Sequence, residues 1–160
     1  MPLASPRQSE RSAPGVRHVS IAIDTTIALE FVDLTATLQG LVTAMGFTDG
    51  FLAVHTLHTT TGLLVNELEP LLLEDLAEMF ERIAPAARDY AHDDCARRTV
   101  NLTPAERRNG YAHCRAALLR ASEQFGVADG EIVLGRWQRV LFVDFDGGQK
   151  RRVAVTFVGV

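Results

Sequence analysis

Cysteine is scarce in this sequence, with two residues, Cys95 and Cys114, among 160. That is too few for the disulfide framework of a small secreted domain, so a reducing compartment and a cytoplasmic location are expected. Long apolar runs are missing too. The longest, such as Leu71–Leu73 and Val140–Val143, fall far short of the roughly 20 residues a membrane helix needs, and no membrane association is expected. Basic charge is not in excess. Sixteen Lys and Arg against twenty Asp and Glu leave a net charge of −4, which disfavours a broad electrostatic nucleic-acid binder. Neither a dinucleotide-binding glycine motif nor a phosphate-binding P-loop is present, so no nucleotide cofactor is expected.

What is present suits one folded unit. The chain is 47% hydrophobic and long enough for a single core, too short for two ordinary ones. Its start, rich in Ser, Pro and Arg, cannot bury enough apolar surface to offset its ordering entropy. Residues 1–16 are therefore expected to be a disordered tail and 17–160 one domain. The tail has no apolar or amphipathic stretch that would mark a secretory or transit signal.

From His18 onward, Val19, Ile21 and Ile23 alternate with polar residues and predict a strand. Asp33 then precedes Leu34, Leu38, Leu41, Val42 and Met45 at helical spacing, with Gly46 available as a stop. Phe51–His58 reads as a central strand that continues or bends through Thr59–Val65, with Gly62 at a bulge or a close backbone approach. Pro70 opens a second, core-facing amphipathic helix that ends before Pro85. Arg88–Asn109 reads as a long polar loop, and a third helix is expected over Tyr111–Ser122. The remainder reads as β: Glu131–Leu134, Gln138–Asp144, a hairpin turn at Asp146–Gln149, and Arg152–Val158. This order predicts an α+β fold, a mixed or antiparallel sheet packed by about three helices.

Three groups of residues suit chemistry. His58-Thr59-Thr60-Thr61-Gly62 with Asn66-Glu67 places an imidazole, hydroxyls, an amide and a carboxylate around one strand exit. A metal, a phosphate or a proton would find partners there, and a plain strand rich in β-branched residues reads the same way. His55, three residues earlier, would face the other side of a regular strand and so would not share a site with His58. His92 and Cys95 have the spacing of half a zinc motif, but the second pair is missing and Cys95 reads as an ordinary exposed thiol. Asn109 and His113 flank a helix start, where backbone N–H groups favour an anion; a single structural hydrogen bond would also account for His113. Cys114 is expected to face the core. If the fold gathers His58, His92 and His113, three imidazoles make a facial metal set.

Taken in order, His58-Thr59-Thr60, Asn66-Glu67, Leu73-Glu74-Asp75-Leu76, Tyr90-x-His92, Asn109-x-x-Ala112-His113, Ser122, Gly135-x-Trp137-Gln138, Asp144-x-Asp146-Gly147 and Arg152-Val153 resemble the secondary thiamine-phosphate synthase, or YjbQ-like, family. The resemblance spans Val16–Val160. It implies a compact α+β subunit, a homotrimer, and a His-rich pocket near a subunit boundary. The implied activity is weak thiamine-phosphate synthesis, joining hydroxymethylpyrimidine diphosphate to thiazole phosphate with release of pyrophosphate.

On this reading His58, His92 and His113 hold a divalent metal, zinc or magnesium, or a phosphate, and Glu67 acts as acid, base or partner to a His. Thr59, Thr60, Asn66, Asn109, Trp137 and Gln138 bind a small phosphorylated or heteroaromatic ligand. The same histidines would also suit a metal-assisted hydrolase or a non-catalytic trimeric anion binder. Two departures stand out. Arg136 occupies a position where the family usually has Thr, and the Pro-Val that usually follows Ser122 is absent.

Overall fold

An unbroken apolar strand is buried on both faces, and an alternating one on a single face. The sequence holds one of each near its end: Val140–Asp144 are all buried, whereas burial alternates along Lys150–Gly159. The computed structural model, which describes residues 15–160, accounts for the contrast with a layered α+β domain. Residues 1–14 of the expected tail lie outside the described residues, and Gly15 and Val16 already belong to a strand.

Five strands, β1 (Gly15–Asp24), β8 (Lys150–Gly159), β3 (Gly50–Thr56), β5 (Ser122–Ala128) and β6 (Glu131–Ile132), form one antiparallel sheet in that order. Three more, β2 (Glu30–Asp33), β7 (Arg139–Asp144) and β4 (Thr61–Asn66), form a second antiparallel sheet centred on β7. The main core fills the space between the sheets and helix α1 (Thr35–Met45), with Leu38, Leu52, Val54, Phe142 and Phe157 fully enclosed. A second cluster, Phe80, Ala112, Ala116, Val143 and Phe145, joins the other side of β7 to helices α2 (Pro70–Ile83) and α3 (Gly110–Ala116). Strand β7 is thus buried from both sides.

Local chemistry sets the helix ends. Asp33 Oδ1 accepts from the Thr35 N–H at 2.8 Å, and Gly46 closes α1 in the left-handed region at φ 71°. Glu69 caps α2, its carboxylate accepting from Leu71 and Leu72 N–H at 3.0 and 2.8 Å, with Pro70 in the first turn. Asp93 Oδ1 accepts from the Asn109 and Gly110 N–H groups at 3.0 and 2.9 Å, so the start of α3 is tied down from the preceding loop.

Several expectations are corrected. The strand predicted over Phe51–His58 stops at Thr56, and β4 belongs to the other sheet. Gly62 marks close approach, because a side chain there would collide with Leu119. Helix α3 ends at Ala116 rather than Ser122: the Leu63 N–H donates to Arg120 O at 2.8 Å, and Ser122 already pairs with His55. Strands β2 and β5 were not foreseen.

The Asp146–Gln149 turn is not a hairpin. It hands the chain from β7 in one sheet to β8 in the other, and Gly147 lies so close to the Ile27 carbonyl that no side chain fits. Helix α2 is not core-facing along its length. Phe80 is buried, while Leu71 and Ile83 are 66% and 54% exposed. Cys114 is exposed, as is Cys95. Among the described residues, no helix is long and apolar enough to cross a membrane.

Candidate functional site

Strand β3 stops with Thr56 opposite Val153, leaving Arg152, the preceding residue of β8, without a strand partner on that side. Two loop residues fill the gap. The Leu57 N–H donates to Arg152 O at 3.2 Å, and the Arg152 N–H donates to Nε2 of His58 at 2.8 Å. The imidazole therefore takes the acceptor position that the next strand residue would have held. Thr61 Oγ1 donates to His58 O at 3.2 Å, and the Thr56 and Thr61 hydroxyls bond each other across the bend.

Beneath this loop lies a buried ion pair. Arg151 donates to both Asp144 carboxylate oxygens at 2.7 and 2.8 Å, to Asp146 O at 2.8 Å and to Thr60 Oγ1 at 3.3 Å. Asp144 also accepts from Thr25 Oγ1 at 2.7 Å and from the Asp146 N–H at 3.0 Å. Each charge has the partners that make burial tolerable. Asp146 carries the network onward, its carboxylate meeting Arg107 at 3.1 Å and Asn109 Nδ2 at 2.9 Å.

Asn109 stands at the start of α3, and one turn later His113 meets His92 with ring centroids 4.5 Å apart. One chain of contacts thus runs from the His58 loop to the His92–His113 pair. The Asn109 Oδ1 atom is buried and, among the described residues, without a hydrogen-bond partner. Such an atom costs about 1–3 kcal/mol unless a ligand or water meets it.

His58 and His113 line one open cleft of about 560 Å³, with Thr59 and Thr61 at one wall and Ala116, Ala117 and Leu119 at the other. The volume suits a small ligand. Burial lowers the pKa of His58, helped by the positive charge of Arg151. Burial also lowers that of His113, helped by His92. Both rings are biased toward the neutral form. His55 lines the same cleft, which corrects the expectation that it points away from any site His58 joins: the regular strand ends between them.

Asn66, Glu67, Trp137 and Gln138 are elsewhere. Asn66 pairs with Arg139 at the far end of the β4–β7 ladder, five residues and about 16 Å of strand from Thr61 at roughly 3.3 Å per step. Glu67 is exposed. Trp137 is 60% exposed under the Arg136 guanidinium, which sits 4.5 Å from its ring, so Arg136 does not enter the histidine cleft. Gln138 lines a separate groove of about 620 Å³ between β4 and β5. His92 touches His113 but lines a different pocket from His58 and His113, so the expected set of three imidazoles does not form among the described residues.

A model of the family described as "UPF0047 protein YjbQ-like" matches residues 19–160. The chain belongs to the YjbQ-like UPF0047 family. Relatives include a UPF0047 protein of Archaeoglobus fulgidus, 36% identical over 137 residues, covering 86% of this chain and 98% of that one. One from Methanothermobacter thermautotrophicus is 31% identical over 139 residues, covering 87% and 90%. Among solved structures, a YbjQ-like protein of unknown function from Sulfolobus solfataricus P2 superposes with a TM-score of 0.81 at 26% identity, covering 92% of this chain and 99% of that one. The YjbQ-like fold of the domain is thereby established, and with it the antiparallel α+β class.

Sequence reasoning did not nominate Arg151, Asp144, Asp146 or Asp93 as site residues. A signal existed for Arg151, which takes an inward position in a strand whose other inward residues are Val153, Val155, Phe157 and Gly159.

Proposed function

We propose that the cleft between the β3–β4 bend and α3 binds a small phosphorylated heteroaromatic molecule, and that the chain acts as a thiamine-phosphate-synthase-like transferase. The observation that supports this reading is the convergence of His58 and His113, far apart in sequence, on one small-molecule-sized cleft. In the proposed reaction the bond between the pyrimidine methylene carbon and the diphosphate oxygen breaks, and its electron pair leaves with pyrophosphate. The thiazole nitrogen lone pair forms the new C–N bond. Imidazole and hydroxyl donors stabilise the departing oxyanion where its charge develops. The apolar wall of Ala116, Ala117 and Leu119 holds the ring and limits water.

A divalent metal would supply the same charge stabilisation when bound. The residues fit it in part. His92 and His113 lie in contact and would hold it, whereas His58 has its Nε2 lone pair engaged by Arg152. Among the described residues, no group of three or more His, Cys, Asp or Glu is placed to hold a metal. Metal-assisted hydrolysis is the second reading, and the His92–His113 contact is what favours it.

The reading includes a homotrimer, in which the exposed Glu67 and Trp137 end of one subunit would reach the cleft of the next. The uncovered Leu71, Met79 and Ile83 of α2 and the exposed Leu118 would provide apolar area for such contacts. The test is a synthase assay with added magnesium on wild type, His58→Ala and His113→Ala, with subunit mass measured by light scattering. Activity lost in both variants, with assembly retained, supports the transferase. Wild-type protein that binds pyrophosphate without turnover points to an anion binder, and near-stoichiometric metal lost with His113 points to the hydrolase.

A further inference from the structure

The hydrogen bond between β8 and the His58 ring fixes more than a loop. A backbone N–H can only donate, so the ring nitrogen 2.8 Å from Arg152 N must carry a free lone pair toward it. In a neutral imidazole that leaves the proton on the other nitrogen, Nδ1. Among the described residues, Nδ1 has no hydrogen-bond partner and is not buried, while the residue lines the cleft together with Thr59 and Thr61.

The donor that fixes the tautomer is itself held firmly. Arg152 follows the buried Arg151 on β8, pairs with Ala22 of β1 and accepts from the Leu57 N–H.

We propose that Arg152, through its main chain, locks His58 as the Nδ1–H tautomer, so that His58 serves the cleft as a hydrogen-bond donor to an anionic ligand oxygen and not as a metal ligand. The proposal rests on the functional reading above only in taking the cleft as the ligand site. It assigns separate chemistry to the histidines. His58 is a fixed donor, while the His92 and His113 rings, in contact with each other, have no such lock from a backbone N–H. The ligand class that follows is an oxyanion, such as the phosphate or diphosphate group of a larger molecule.

The test is long-range proton–nitrogen NMR of the His58 ring in the wild-type protein, at a pH where the ring is neutral, followed by titration with inorganic pyrophosphate and, separately, with zinc. The expected spectrum shows Nδ1 protonated and Nε2 as an unprotonated acceptor. Pyrophosphate should shift Nδ1, and zinc should leave both His58 nitrogens in place. In His58→Met the thioether sulfur can still accept weakly from Arg152 but has no proton to donate, so the fold should persist while pyrophosphate binding weakens about tenfold to a hundredfold, the range for one bond to a charged group.

An Nε2–H tautomer, zinc coordination by His58, or unchanged pyrophosphate affinity in His58→Met would each overturn the proposal. Its failure is separable from that of the transferase reading, because pyrophosphate binding with the expected His58 signature but no synthesis would remove only the latter. Absence of pyrophosphate binding in the wild type would remove both.

Discussion

The two ends of the β4–β7 ladder make an instructive pair. At one end, Thr61 and Asp144 stand opposite each other, and Asp144 is held from inside by Arg151, Thr25 and the Asp146 N–H. At the other, Asn66 faces Arg139, Glu67 is exposed, and Trp137 lies at the surface under Arg136. Both ends carry residues suited to chemistry. Only the first has a built interior that fixes them before a ligand arrives, which is the preorganisation a site needs. The second end is positioned by the sheet but not enclosed.

The largest way to break this contrast is Arg151→Met. It leaves Asp144, fully buried, without its cation, and the expected loss is about 3–5 kcal/mol in urea unfolding, because an uncompensated buried charge remains. Adding Asp144→Leu to that variant should recover part of the loss. A double variant no more stable than Arg151→Met would mean that the network acts through shape rather than charge.

Acid provides a smaller effect at the same end. The His58 and His113 pKa values are lowered in the folded protein from an ordinary 6.5. The unfolded chain therefore binds more protons just below that value, and stability falls as pH drops from 6.5 toward the folded pKa values. His58→Gln and His113→Gln should each flatten that part of the stability–pH curve, measured by urea unfolding across the range. An unchanged slope would show that the rings are not held neutral.

The smallest expected change is at the far end. Glu67→Gln and Trp137→Ala should alter subunit stability by no more than about 0.5 kcal/mol, as for exposed positions generally. If turnover nevertheless falls with stability unchanged, this end works on a neighbour's ligand. Turnover that stays normal in both variants would limit the chemistry to the histidine end.

Much of the fold was legible where one physical signal dominated. The alternation in β1, the spacing in α1, and Pro70 and Pro85 around α2 each marked an element. Strand β5 was hidden because Ser122, Glu123 and Gln124 lie on a sheet edge and read as polar, leaving only Phe125 and Val127 to show the period of two. The hairpin expectation failed because a tight turn rich in glycine joins two strands equally well whether or not they pair. For the site, residue type drew attention to His58, His92 and His113; the fold places His58 and His113 on one cleft and sets His92 against His113 but in a different pocket. Residue type could not show that Asn66 and Glu67 lie a strand's length from His58, since they flank β4 in sequence, nor that Trp137 and Gln138, just before β7, lie at that same far end. Arg151 and Asp144 were overlooked as site residues because buried charges gain meaning only from partners distant in the chain.

Strand β8 sits in the middle of the larger sheet, between β1 and β3, yet it is synthesised after every strand in that sheet. Until translation has passed Gly159, β1 and β3 have no common neighbour, and the main core lacks Val153, Val155 and Phe157. Until β8 is made, the nascent chain therefore carries the unpaired strand edges of β1 and β3. Pairing across such long sequence separations makes the final closure slow relative to helix formation. Folding yield in the cell should thus depend more on how the unfinished chain is shielded than on how stable the finished domain becomes.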